Sequence, residues 1–248
     1  MIGFLILAHA DPVHLERLSS ALRPHPVFVH LDRKTKLDNR WRAARAEFVE
    51  PRIPVYWGGV SQVHATLRLM RRAYDSQPSI SHFVMLSGAC YPLKHIDELK
   101  QFIEAEPDRC HMKYHRVDTA PRLSDALLNR RHRDSILPWW LTSRSRSFRQ
   151  VERILRKTYE VTSRPLGARR WPFTSPAYHG SAYWALPRAS VAYILDRAAS
   201  PTGQQLLSFL AGSMACDEFF FHTILASSPF SKYATGEIPY QGALYPSA

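Results

Sequence analysis

The sequence predicts an α/β layered fold with a mostly parallel central sheet flanked by helices. Three short apolar runs, IGFLILA (2–8), VFVHL (27–31) and FVML (83–86), each end in polar or turn residues. Between them lie segments with apolar residues at helical spacing: Leu15, Leu18 and Leu22, then Val63, Leu67, Met70 and Tyr74. A strand, a helix and a second strand in that order make a crossover unit, and its natural product is a parallel pair.

Each element follows from local chemistry. The run Ile2–Ala8 lacks a basic flank and is followed at once by His9 and Asp11, so it reads as a buried first strand, too short for a bilayer or a signal peptide. Asp11 is placed to cap a helix and Pro12 suits its first position. The second strand ends in Asp32. Val55–Trp57 reads as a short third strand, Gly58-Gly59 as a loop, and Ser61 as the cap of the next helix. The strand Phe83–Leu86 breaks into the Ser87-Gly88 turn, and HIDELKQFIEA is helical. Residues 109–180 read as a basic, largely irregular connection with one helix over Arg146–Tyr159. HGSAYWALPR reads as a strand running into a helix, and another helix opens at Asp217-Glu218. The stretch beyond it is rich in turn residues. The expected organisation is one domain over 1–248. It divides into a first part (1–108), the basic connection (109–180), and a last part (181–248) that ends short if the chain is a piece of a longer protein.

Composition narrows the function. Of the 248 residues 45% are hydrophobic and 22% charged, which supports a sizeable core and excludes disorder. The net charge of +12 is concentrated: residues 109–170 hold 16 Lys/Arg against 5 Asp/Glu. Such a patch suits a nucleotide diphosphate, an acidic glycan or a membrane surface, with membrane contact expected through 109–170. No nucleic-acid-binding signature is present, and no nucleic acid is expected. Three cysteines without a C-x-x-C pair argue against a disulfide framework or zinc and point to a reducing, cytoplasmic setting, peripheral to a membrane at most. The dinucleotide and P-loop glycine fingerprints are absent. So is any D-x-D pair, which removes one common way of holding a divalent ion on a diphosphate. No metal or other cofactor is expected, and Arg or Lys would neutralise the leaving group.

In open α/β sheets ligands gather at the carboxyl ends of the strands. Here those ends carry His9, Asp32, Gly58, Ser87 and Gly88. Asp32 has two readings: a hydrogen-bond acceptor for base or ribose, or a turn-forming carboxylate. Asp217 at a helix tip is explained by capping and the helix dipole. Glu218 directly precedes Phe219, Phe220 and Phe221, which places its carboxylate between an apolar wall and a cleft, where burial makes a better base. A structural role is the alternative.

HADPVHLERL, VFVHLDRK, YWGGVSQVHATL, FVMLSGACYPLK, HGSAYWALPR and DEFFFHTIL occur in this order over about residues 2–226. Together they resemble the core-2/I-branching β-1,6-N-acetylglucosaminyltransferase family, whose relatives include the peptide O-xylosyltransferases. The resemblance implies a GT-A-like, Rossmann-type fold. It also implies a UDP-sugar donor carrying GlcNAc or xylose, inversion at the anomeric carbon, no metal, and a glycan or similar hydroxyl acceptor. It assigns the catalytic base to Glu218, a uracil contact to Asp32, the nucleotide pocket to Trp57 and Gly58, and the acceptor side to Ser181, Tyr183 and Trp184, with Asp217 beside them and a core position as the equal alternative for Trp184; residues 1–108 are then the nucleotide-binding half and 181–248 the acceptor and catalytic half. Two departures stand out. Cys90 replaces an acidic residue common in relatives. The Arg and Lys that relatives place downstream of the glutamate are also missing: 30 residues follow Glu218, with Lys232 the single base among them. Three explanations remain open: a longer parent protein, a basic middle that supplies the charge, or a domain that binds without turnover.

Overall fold

A computed structural model of the chain describes residues 1–240, apart from the side chain of Arg144. The first half contains β1 (Ile2–Ala8), α1 (Pro12–Ala21), β2 (Val27–Leu31), α2 (Asn39–Arg42), β3 (Glu47–Phe48), α3 (Val60–Ser76), β4 (His82–Ser87) and α4 (Ile96–Ala105). The second half contains β5 (Cys110–Arg116), α5 (Pro121–Ser124), α6 (Trp139–Arg144), α7 (Arg146–Thr162), β6 (Tyr178–Gly180), β7 (Ala185–Pro187), α8 (Arg188–Ala199), α9 (Pro201–Leu210), α10 (Cys216–Ala226) and β8 (Ala234–Glu237).

The strands form one mixed sheet in the order β3-β2-β1-β4-β7-β5-β6, with β8 on β5. The β3-β2-β1-β4 block is parallel throughout. β7 joins β4 antiparallel and carries the sheet on to β5. Side-chain alternation splits the core into two layers. Phe4, Ile6 and Ala8 of β1 pack with Leu15, Leu18, Ile96 and Ile103 of α1 and α4. Leu5, with Phe83 and Met85 of β4, faces the opposite layer, where α3, α8, α9 and α10 contribute Leu69, Ile194, Leu207 and Phe220. Both faces are covered, which is why β1, β2 and β4 are largely apolar, with His30 and His82 as buried polar exceptions.

Several expectations need correction. Val55–Trp57 is not a strand; it runs as unpaired chain into the α3 turn. Ser61 is not the cap of α3. The cap residue is Gly59, and the amide of Ser61 donates 2.8 Å to Oδ2 of Asp134, far along the chain. HGSAYWALPR forms two short strands, β6 and β7, separated by a break at 181–184, so the chain can cross from β5's outer edge to the slot between β4 and β5. The basic connection holds β5, whose Cys110, Met112 and Tyr114 are buried while Lys113 is exposed. The turn-rich tail contributes β8, and residues 241–248 of the expected catalytic half lie outside the described residues. No described helix is long and apolar enough to cross a membrane.

Candidate active site

The site is organised by the tip of α10. Phe219, Phe220, Phe221 and Leu225 are all at most 1% exposed, so burial of this helix drags its first turn into the interior. Ala215, the cap residue, sits in the left-handed region (φ 60°) and offers no side-chain cap. The Cys216 amide instead donates 3.2 Å to the Gly58 carbonyl, docking the tip onto the 57–59 loop. Asp217 is therefore not the surface cap expected of it; it is a buried carboxyl in the first turn. Burial, reinforced by the charge of Glu218, pushes its pKa up to about 7. Gln62 of α3 bridges loop and tip: Nε2 donates 3.4 Å to Asp217 Oδ2, and Oε1 accepts from the Gly58 amide.

Glu218 is held from the other side. Its Oε2 lies 2.9 Å from Nε2 of His179 on β6, and the His179 ring packs edge-on against Phe219. β6 can press this closely because Gly180 has no side chain: a Cβ there would overlap the Lys113 carbonyl and the His222 ring. His222 is fully buried. Burial first, and then the charge of His179, push its pKa down to about 3, so it is a neutral spacer under the site.

Across a cavity of about 560 Å³ stand the carboxyl ends of β1, β2 and β4. Asp32 Oδ1 accepts from the amides of Lys34 (2.9 Å) and Val55 (3.3 Å), while Oδ2 takes the Lys34 ammonium at 2.9 Å. Lys34 lies over the Tyr56 ring and donates to the Val55 carbonyl. One carboxylate thus stitches the 53–57 segment to the end of β2. His30, one residue inside β2, accepts from the Ile53 amide through Nε2 (3.1 Å), and burial lowers its pKa to about 4. Its Nδ1 is buried without a partner at the cavity wall. Two aromatic rings stand out at the edge, Trp57 at 62% and Tyr183 at 51% exposure.

The cavity brings together Glu218, His9, Asp32, Trp57, Gly58, Ser87, Ser181, Tyr183 and Asp217. It leaves out two expected residues. Trp184 is 4% exposed, with its ring 5.8 Å from that of Phe221. Successive residues of an extended segment point to opposite sides, so Tyr183 at the cavity commits Trp184 to the core. Gly88 turns behind the wall, where its amide donates 2.8 Å to the Leu7 carbonyl. Sequence reasoning missed Gln62, Lys34, His30 and His179. Only Lys34, next but one to Asp32 in HLDRK, carried a readable signal.

Nor does the basic middle reach the cavity: among its described residues none of 109–170 lines the wall, and Lys34 is the one Lys or Arg that does. Part of that charge is spent internally. Arg169 is half-buried and donates to the carbonyls of Leu127 and Phe209, both at 2.6 Å, and to the Ser213 hydroxyl. Arg116 pairs with Asp118 and Arg130 with Asp125.

The site therefore presents a carboxylate held by a histidine at one wall, an anchored Asp–Lys pair at the other, and aromatic surface at the edge. The chain is similar to xylosyltransferase 2 of Rattus norvegicus (25% identity over 238 residues), to xylosyltransferase 2 of Homo sapiens (24% over 237) and to xylosyltransferase 1 of Homo sapiens (23% over 238). Each match covers 92% of this chain, but the chain spans only about a quarter of those proteins, from 22% to 25% of their length. Residues 2–236 match the model of the Core-2/I-Branching enzymes, and the chain belongs to that family.

Proposed function

We propose that this chain is a GT-A-like, metal-independent, inverting glycosyltransferase domain. It would transfer a sugar from a UDP-sugar, xylose before GlcNAc, to a hydroxyl of a glycan or peptide. The observation that carries this reading is the placement of Glu218. It is oriented by His179 and faces the Asp32–Lys34 pair across a cavity large enough for a small ligand. In the reaction the acceptor O–H bond breaks and its proton passes to Glu218. The acceptor oxygen bonds to the anomeric carbon as the bond to the diphosphate oxygen breaks, and UDP leaves with that electron pair. One in-line displacement needs one base and inverts the centre. Asp32 and the free Nδ1 of His30 suit the polar edges of uracil and ribose, and Trp57 and Tyr183 suit the apolar faces of sugar rings. The xylosyltransferase relatives favour xylose as donor. Metal independence rests on the absent D-x-D pair and on the family resemblance.

The test is transfer from UDP-xylose and UDP-GlcNAc in EDTA, with Glu218→Gln beside the parent. General-base loss costs about 10²–10⁴-fold in kcat, with UDP affinity retained. Undiminished transfer by Glu218→Gln overturns the assignment. A second reading, a nucleotide-binding domain without turnover, is favoured by one observation: the charge of Lys34 is already matched by Asp32. UDP binding without transfer or hydrolysis of any UDP-sugar decides for it.

A further inference from the structure

The excursion 130–166 carries a surface that the cavity does not use. α7 packs inward through Glu152, whose carboxylate accepts from the amides of Ile136 (2.8 Å) and Leu137 (2.7 Å) and from the Ser135 hydroxyl (3.0 Å). The opposite side of the helix is apolar. Ile154 and Val161 lie three and ten positions after Val151 on one stripe, with Thr158 between the last two and the small Ser147 one turn before the first. All three are exposed, Ile154 at 64%, and Leu166 just beyond the helix at 74%. A helix normally buries its apolar stripe, and this one turns it to solvent.

Charge surrounds that crest. Residues 139–166 hold seven Lys/Arg against two Asp/Glu, and one of the two is the buried Glu152. Along its flank runs a cleft of about 430 Å³ lined by Arg131, Arg133, Arg149, Arg153, Arg156 and Lys157, with Glu160 and the engaged Glu152 as the carboxylates. Arg153 and Lys157 form the rim of that cleft nearest the crest, beside Ile154 on the helix. Aliphatic side chains that project beside a row of cations match a boundary at which hydrocarbon lies directly beneath anionic phosphates. A folded acidic protein would match the cations but leave the projecting crest without a groove.

We propose that the α6–α7 excursion docks this protein on an anionic bilayer, with Val151, Ile154, Val161 and Leu166 in the acyl boundary and the Arg/Lys flank on lipid phosphates. This is independent of the catalytic reading. The experiment is co-sedimentation of the full chain with vesicles of phosphatidylcholine alone and of phosphatidylcholine carrying about one-third phosphatidylglycerol. The parent is expected to pellet with the anionic vesicles and not with the neutral ones. The double variant Ile154→Glu/Val161→Glu should lower that partitioning at least about tenfold while keeping the parent's Tm, because both side chains are exposed. Arg153→Ser/Lys157→Ser should weaken binding and flatten its dependence on salt. Three results overturn the proposal. One is no binding to anionic vesicles. Another is binding that Ile154→Glu/Val161→Glu leaves unchanged, since general charge attraction would then suffice. The last is a self-associated parent that those glutamates turn monomeric without any vesicle binding, since a second copy would then cover the crest.

Discussion

Nε2 of His179 lies 2.9 Å from Oε2 of Glu218, and the two residues come from different elements, β6 and α10, brought together by the Gly180–His222 contact. In the proposed reaction His179 touches the carboxylate of Glu218 and not the reacting atoms, which makes it a positioning residue. His179→Ala should lower kcat by about tenfold or more and leave UDP affinity within about twofold. His179→Gln, which can still donate, should recover part of the loss. A fall in UDP affinity matching the fall in kcat would instead mean that the cavity had collapsed.

Asp217 sets a pH dependence of stability. Folded it titrates at about 7, against 3.8 for an unperturbed aspartate. Between these values the folded protein holds a proton that the unfolded chain has released, so stability falls as pH rises through the window. His30 and His222 act oppositely: their folded values of about 4 and 3 lie below 6.5, so unfolding takes up protons and stability rises with pH over that range. The parent's curve mixes the two signs, and Asp217→Asn separates them. The Tm advantage of Asp217→Asn over the parent should grow from pH 4 to 7 and then level off. Parallel curves would mean that Asp217 is solvated in the folded protein.

Asp32→Ala should act on the donor side alone. It frees the Lys34 ammonium and removes the acceptor for the Lys34 and Val55 amides, so the 53–57 segment loses its anchor to β2. UDP should bind at least about tenfold more weakly, since each lost charge-assisted bond is worth roughly 1.5–3 kcal/mol. Calorimetry with UDP alone checks this, and an unchanged affinity removes Asp32 from the nucleotide site.

Gly180→Ala tests the packing beneath the base. The added methyl meets the Lys113 backbone and the His222 ring, neither a flexible chain end. A loss of about 1–3 kcal/mol is expected, read by urea denaturation, together with a kcat defect resembling that of His179→Ala. Parent-like stability would show that β6 can yield without cost.

What could be read from the sequence follows a physical division. β1, β2 and β4 were legible because burial on both faces writes a short, mostly apolar run, and α1 because Leu15 and Leu18 declare a helix by spacing. β5 was not, although Cys110, Met112 and Tyr114 alternate correctly, because His111, Lys113 and His115 between them merged into a basic region. Glu218 was legible since a carboxylate beside three phenylalanines has few places to go. His179 was not: its partner is 39 positions away, and no local pattern encodes a contact made by tertiary packing. Trp184 was misplaced because a motif read as a block ignores the two-residue period, which sends alternate side chains to opposite faces.

The carboxylate of Asp134 closes the N-terminal end of α3, and Gly59 leaves room for it, since a Cβ there would overlap that carboxylate. The outlying arm is therefore riveted to the same helix that sends Gln62 to Asp217. Pulling that excursion away would unseat the Ser61 amide, the immediate neighbour of the residue that braces Asp217. A load on residues 130–166 would thus reach the cavity wall through two adjacent residues of α3.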